Sequence, residues 1–384
     1  MESSFEGKHL RRQDFLKAVG LASGGLMLAG AGLAPAAGAR TFVTRRFAAG
    51  PSLANKTVAI SSPLDVEVLR EFYDDQRDQA KLPGNGEKII VVDANLDTVK
   101  QHTQVDQLID QGVDAIVLFV LTVTGWEDTV ARATKKGIGM FNHSASPILG
   151  CTQNVGLDQR AAGFAVGRAA AGWIAKTQGG EAQIGVLSIL NDPQLALRSA
   201  GFKAAIEQYS PNSVIAREAF AQTRDVGASA AANMLQAVPD LSVIFSGGDD
   251  PGLGALTAAR EAGKSDSRKF YIGSCDGTQV VLDEIKKLGI YQATWSFLFA
   301  YSATALQRDI EKFLRKQKVH PTRIERGRIV TSLNVNSFQT FSTTPQAPKN
   351  QKLFSNPAVM EYSDIKLKTG EPVLHAFPTK KKKK

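Results

Sequence analysis

The sequence predicts an α/β protein made of two doubly wound parallel-sheet lobes with a crevice between them. Three observations carry this. From Asn55 onward, short β-branched runs alternate with amphipathic segments at the spacing of βα units. At Asp158 the series starts again with the same rhythm, although no segment repeats closely. Two of the strand-like runs, LSVIFSGGDD over 241–250 and FYIGSCDGTQ over 270–279, end in acidic turns, where open α/β sheets hold their ligands.

In the first series, Thr57–Ile60 is a strand ending in Ser61-Ser62-Pro63, and Val66, Leu69, Phe72 and Tyr73 form one face of the helix after it. Lys88–Val92 is the next strand, ending at Asp93, and Val105, Leu108 and Ile109 give the stripe of a surface helix. Ala115–Val120 is a strand whose exit loop contains Thr122, Thr124 and Trp126. A helix to Lys136, a strand Ile138–Phe141 ending at Asn142-His143, and an extended stretch Thr152–Gly156 complete the lobe. His143 is expected to decorate its loop.

The second series has a Gly- and Ala-rich helix, Arg160–Ala175, and a strand, Ile184–Ile189. The loop Asn191-Asp192-Pro193-Gln194 then caps a helix carrying Arg198. Ser213–Ala216 is a strand followed by a loop through Gln222 and a helix to Gln236, before the two acidic strand ends. Asp250, just ahead of Pro251, reads as a helix cap, which leaves Asp249 and Asp276 facing the crevice. Tyr291–Trp295 is a further strand and Ala300–Leu314 a helix.

A chain of 384 residues with 43% hydrophobic content is long enough for about two cored domains. The net charge of +9 is an end effect: residues 1–39 carry +1, residues 340–384 carry +6, and the body 40–339 keeps only +2. That balance argues against a nucleic-acid footprint. Cys151 and Cys275 fall in different lobes and read as free thiols.

Residues 1–39 read as an export signal. Lys8, Arg11, Arg12 and Lys17 make a positive start, Ala18–Ala39 is uncharged, and Ala37-Gly38-Ala39 is a small-residue cleavage site before Arg40. The stretch from Arg11-Arg12 to Phe15-Leu16-Lys17 resembles a twin-arginine signal with one extra residue after the arginine pair. With no cysteine after the apolar stretch, a soluble periplasmic protein is expected.

The ordered set of motifs from Thr57 to Asn336 resembles the periplasmic sugar-binding proteins of ABC importers, the ribose/galactose-type group. The matching stretches are Val92-Asp93-Ala94-Asn95, the run Gln104–Ile116, Gly137-Ile138, Arg198 through Phe202, Asp249 with Gly254-Ala255, and Ser274–Thr278. The resemblance implies a periplasmic binding protein type I fold, two lobes joined by a hinge, in a receptor whose lobes close on a small sugar or polyol so that the membrane permease recognises the loaded form. It implies a lobe of 55–157 plus 293–318 and another of 158–292 plus 319–336, with crossings near Gly156–Asp158, Tyr291–Ala293 and Lys318–Thr322. Arg198, Asp249 and Asp276 then fall on positions that hydrogen-bond sugar hydroxyls, with Asn142 at a fourth. Trp126 offers a flat apolar face, and Ser62, Gln222 and Phe297 complete the expected ligand-binding set. No cofactor, metal or nucleic acid is expected, and the protein is read as a monomer.

The chain departs from the family pattern at Asn142, Gly248 and Phe297, which replace Asp, Asn and Gln of many sugar binders, and at Ser61–Leu64, which lacks an aromatic pair. The pocket is therefore altered in polarity. An enzyme is disfavoured: the five histidines have no metal-ligand spacing, and neither a phosphate loop nor a G-x-S-x-G elbow appears. A lactose-repressor-type regulator would need a helix-turn-helix where the export signal stands. A receptor of this fold serving chemotaxis or signalling is the alternative function. Residues 340–384, polar and Pro-rich with five terminal lysines, read as a surface extension without a core.

Overall fold

Each lobe is built on a sheet whose central strands are apolar on both faces, because helices cover both faces. The computed structural model describes residues 51–144, 146–189, 195–336, 338 and 360–367. The expected export signal, the loop 191–194 and most of the tail lie outside the described residues.

The first sheet runs in the order β13-β11-β5-β4-β3-β1-β2. Its strands are β1 (Thr57–Ser62), β2 (Lys88–Asp93), β3 (Ala115–Leu118), β4 (Gly139–Asn142), β5 (Gln153–Leu157), β11 (Thr322–Glu325) and β13 (Met360–Ser363). All its pairings are parallel except that of β13 with β11. Alternation along the strands divides its side chains between two cores. Ala59, Ile116, Leu118 and Met140 pack with Val105 and Ile109 of α2 (Thr98–Gln111) and Val130 of α3 (Glu127–Lys135). Val58, Ile60, Val117 and Phe141 pack with Phe72 of α1 (Glu67–Ala80) and Leu306 and Ile310 of α9 (Phe299–Leu314).

The second sheet runs β12-β10-β9-β8-β6-β7. It contains β6 (Gln183–Ser188), β7 (Val214–Phe220), β8 (Leu241–Ser246), β9 (Tyr271–Asp276), β10 (Tyr291–Ser296) and the antiparallel edge strand β12 (Arg328–Thr331). Val186, Val243 and Phe245 face α4 (Gln159–Thr177) and α5 (Ala196–Tyr209), while Leu187, Ile244 and Ile272 face α6 (Arg224–Ala237), α7 (Asp249–Glu261) and α8 (Gln279–Lys286). Both lobes therefore repeat one order, second-first-third-fourth-fifth strand. In each, the strand order reverses beside the first strand, and the crevice at that switch point is where such sheets bind ligands.

Strand pairing relocates the expected lobe boundaries. The chain passes from β5 of the first sheet to α4 of the second lobe between Leu157 and Gln159. Residues 291–296 belong to the second sheet, in register with β9, so the return lies at 296–299, after which α9 packs on α1. Residues 322–325 belong to the first sheet beside β5, so the last crossing lies at 325–328. The partition at 293–318 and 319–336 thus moves downstream, its first boundary from 292/293 to 296–299 and its second from 318/319 to 325–328. A strand buried on both faces does not announce its sheet. The second crossing contains Leu298 at φ 59°, a left-handed conformation that a branched side chain rarely adopts.

Two further expectations change. The described part of the tail adds β13 to the sheet edge, with Met360 buried, rather than lying on the surface alone. Asp250 does not cap its own helix: α7 begins at Asp249 after Gly248, with no side-chain cap. Cys151 and Cys275 are free, as expected.

Glycines fix how closely the second lobe's helices approach. A Cβ on Gly163 would overlap the Arg198 carbonyl, and one on Gly201 would overlap the Arg160 carbonyl. Only at this separation do the starts of α4 and α5 bring Gln159 and Arg198 within bonding distance.

Candidate functional site

The switch points of the two sheets open onto one cavity with a free volume of about 170 Å³. That is below the roughly 300 Å³ at which drug-sized pockets begin, so the occupant is small. From the first lobe the wall includes Leu64, Leu69, Phe119, Leu121, His143 and Phe299; from the second it includes Gln159, Arg198, Gln222, Asp250, Asp276 and Thr278.

Arg198 organises the second wall although it is only 4% exposed. Its Nη1 donates to Asp276 Oδ1 at 2.9 Å and to the Gly247 carbonyl at 2.6 Å, and its Nε donates to Gln159 Oε1 at 2.6 Å. Phe297 supports the guanidinium from below, its ring centroid 4.9 Å away. Asp276 reaches the cavity because its backbone has φ 129°, a conformation unusual outside glycine and characteristic of strained functional positions. Burial pushes the Asp276 carboxyl pKa up, and the Arg198 charge and the Asp249 N–H pull it back without cancelling the rise.

Of the expected residues, the structure thus brings Arg198, Gln222 and Asp276 to the cavity. The other five do not line it. Asp249 lies behind the wall, where its carboxylate accepts from the Thr278 N–H at 2.7 Å, Thr278 Oγ1 at 2.9 Å, Thr294 Oγ1 at 2.9 Å, and the Ser274 hydroxyl. Burial raises its pKa, as does the neighbouring Asp276 charge, while these donors oppose the rise. Asp249 is therefore a strut joining α7, β9, β10 and the start of α8. Asn142 is fully buried and donates to the Ser146 carbonyl and Asn154. Trp126 stacks on His102 at 3.9 Å, and its indole N–H donates to the Thr122 carbonyl, which holds the ring in the core. Ser62 accepts from the Tyr73 hydroxyl and donates to the Leu64 carbonyl. Phe297 acts beneath Arg198.

Several wall residues carried no recognised signal. His143 was expected merely to decorate its loop, yet it is buried on the wall, its Nε2 2.7 Å from Ser302 Oγ and 3.6 Å from Glu325 Oε2. The alternation of strand residues could have indicated it, because Asn142 turns into the core and its neighbour must turn out. Glu325 in turn pairs with the wholly buried Arg323 at 2.7 Å, and Arg323 with Asp309 at 2.9 Å. Burial raises the Glu325 carboxyl pKa, but the Arg323 charge together with His143 and the Ser302 hydroxyl outweighs it and holds the value below the ordinary one. This network runs from the cavity wall to the residue that begins the third crossing.

The lobes also cap each other's helices. The N-cap position of α1 is Val66, which has no hydrogen-bonding side chain, and the N–H of Glu67 donates instead to Asp250 Oδ2 at 3.1 Å. The N-cap position of α8 is Thr278, whose hydroxyl is bound to Asp249, and the N–H of Gln279 donates to Glu71 Oε1 at 3.0 Å. Each carboxylate also meets the positive end of the other lobe's helix. Asp250 is further paired with Arg224 at 3.0 Å. Two helix starts thus take side-chain acceptors from the opposite lobe.

Two sheets of one topology around a shared switch-point cavity define a two-lobed solute receptor. The periplasmic binding protein domain family matches residues 66–307, more than half of the chain, and the chain belongs to that family. It is 29% identical over 240 residues to a ribose import binding protein of Bacillus subtilis, covering 62% of this chain and 75% of that protein. It is 31% identical over 186 residues to a xylitol-binding protein of Mycolicibacterium smegmatis, covering 47% and 52%. Among solved structures it resembles a Bacillus halodurans ABC transporter solute-binding protein with bound myo-inositol (TM-score 0.64, 20% identity, 75% of this chain and 98% of the other). It also resembles a Mycobacterium smegmatis protein in complex with β-D-fucofuranose (TM-score 0.66, 20% identity, 80% and 99%). At these identities the structural likeness speaks for the fold.

Burial raises the Glu71 carboxyl to about 7, opposed by its bond from Gln279 and helped by Glu67 and Asp75. A carboxyl whose folded value exceeds its unfolded one favours the protonated folded state. Its destabilising effect is present above about pH 7 and is relieved as pH falls toward the unfolded value near 4.5. Glu71→Gln keeps the acceptor and removes the charge. In urea titrations it should stabilise the protein at pH 8 and change it little at pH 4.5; a difference independent of pH would contradict this reading.

Proposed function

We propose that the chain is an exported receptor that captures one small, neutral sugar or polyol between its lobes and delivers it, as a monomer, to the membrane permease of an ABC importer. The observation that carries this reading is the charge balance of the switch-point cavity. Its guanidinium is matched by Asp276 and its Asp250 by Arg224, so the wall offers oriented donors and acceptors without a net charge for an ionic ligand. The import, ribose and xylitol named in the relatives' descriptions support the same class. So do the myo-inositol and fucofuranose bound to structural neighbours. Among the described residues there is no metal-binding cluster and no helix long and apolar enough to cross a membrane. The protein acts by binding and release, with no turnover.

Thermal melts against pentoses, hexoses and polyols test the ligand class. A ligand at 100 times its dissociation constant adds about 2.7 kcal/mol to stability. A shift given by an amino acid or nucleotide, with none from the saccharides and polyols, would overturn it. N-terminal sequencing of periplasmic material should read from near Arg40, and a mature chain retaining Phe15-Leu16-Lys17 would contradict export with cleavage.

A further inference from the structure

Most of the polar side chains that line the cavity stand on one side of the line that divides the lobes. The first-lobe wall is made of Pro63, Leu64, Leu69, Phe119, Leu121 and Phe299 with further valines. Its two polar residues are largely committed: the Ser144 hydroxyl accepts from the Val120 N–H at 3.0 Å and points to the Leu118 carbonyl, and His143 Nε2 is held by Ser302. The opposite wall presents Gln159, Arg198, Gln222, Asp276 and Thr278 from the ends of the second lobe's strands and loops, with Ile189, Leu195 and Pro251 between them.

Resting on the receptor reading above, we propose that the ligand is an amphipathic monosaccharide, a deoxy or methyl-bearing sugar. Its hydroxyls face the second lobe and its hydroxyl-poor side packs against the first. A hydroxyl set against Leu64, Leu69 and Phe119 loses its water and gains no partner. The same position filled by a methyl group adds apolar contact. The second wall asks for the reverse. Arg198 and Asp276 are already paired and oriented, and they would be left under-bonded by an apolar group. Charge does not enter the discrimination, because both carboxylates on the second wall have cationic partners.

Isothermal titration with sugars matched in configuration and differing by one hydroxyl tests this: L-fucose with L-galactose, L-rhamnose with L-mannose, and D-quinovose with D-glucose. In the pair that binds best, the deoxy sugar should bind about 10- to 100-fold more tightly, the range expected for an unpaired buried hydroxyl. Leu64→Asn and Leu69→Gln, two separate placements of an amide on the apolar wall, should each reduce that ratio by about tenfold. Equal or tighter binding of the fully hydroxylated sugar would overturn the proposal while leaving the receptor reading intact. A deoxy preference unchanged in both variants would overturn it as well, because the wall would not be its source. Failure of every saccharide and polyol to bind would remove both readings together.

Discussion

The Arg198 guanidinium is the point on which the site depends. A buried cation needs partners at fixed positions, and Arg198 finds them on Gln159, the first residue beyond the first crossing, on the Gly247 carbonyl after β8, and on Asp276 at the end of β9. Breaking such a buried pair is expected to cost about 3–5 kcal/mol, because the remaining charge is left uncompensated. The surrounding sequence serves this geometry. Gly163 and Gly201 let α4 and α5 touch, Phe297 supports the cation from beneath, and Asp249 fixes the turn that aims Asp276.

Closure has its own physical basis, separate from ligand contacts. Val66 and Thr278 leave the starts of α1 and α8 without their own caps, and Asp250 and Glu71 supply them across the cleft. A helix cap contributes about 1 kcal/mol, so two of them bias the closed state without fixing it. A ligand that touches both walls at once would supply the remainder, which is how a receptor favours one of two conformations. On the first-lobe side, the chain His143, Glu325, Arg323, Asp309 joins the cavity wall to the last crossing and to α9.

Much of the fold was legible because each strand is an apolar run and each helix has a stripe. The two-series rhythm that restarts at Asp158 gave both lobes. The membership of β10 and β11 was not legible, because long-range pairing decides it and Ala293 and Ile324 look alike from the sequence. At the site, Arg198 and Asp276 could be found as charges within apolar surroundings at element ends. Asp249 has the same local signature, and only the hydroxyls of Ser274, Thr278 and Thr294, brought from 25 to 45 residues away, make it a strut instead. Trp126 was misplaced because its own loop holds it: the Thr122 carbonyl four residues back takes its N–H. Glu71 gave no signal, being one of five acids within the helix α1.

The central claim is that two lobes close on a small ligand. Small-angle scattering measures this directly, comparing the free protein with the protein at a saccharide concentration that saturates its thermal shift. A smaller radius of gyration with ligand, abolished by Arg198→Ala, is the expected result. A radius unchanged at saturation would mean that the lobes do not close on their ligand, and it would contradict this account.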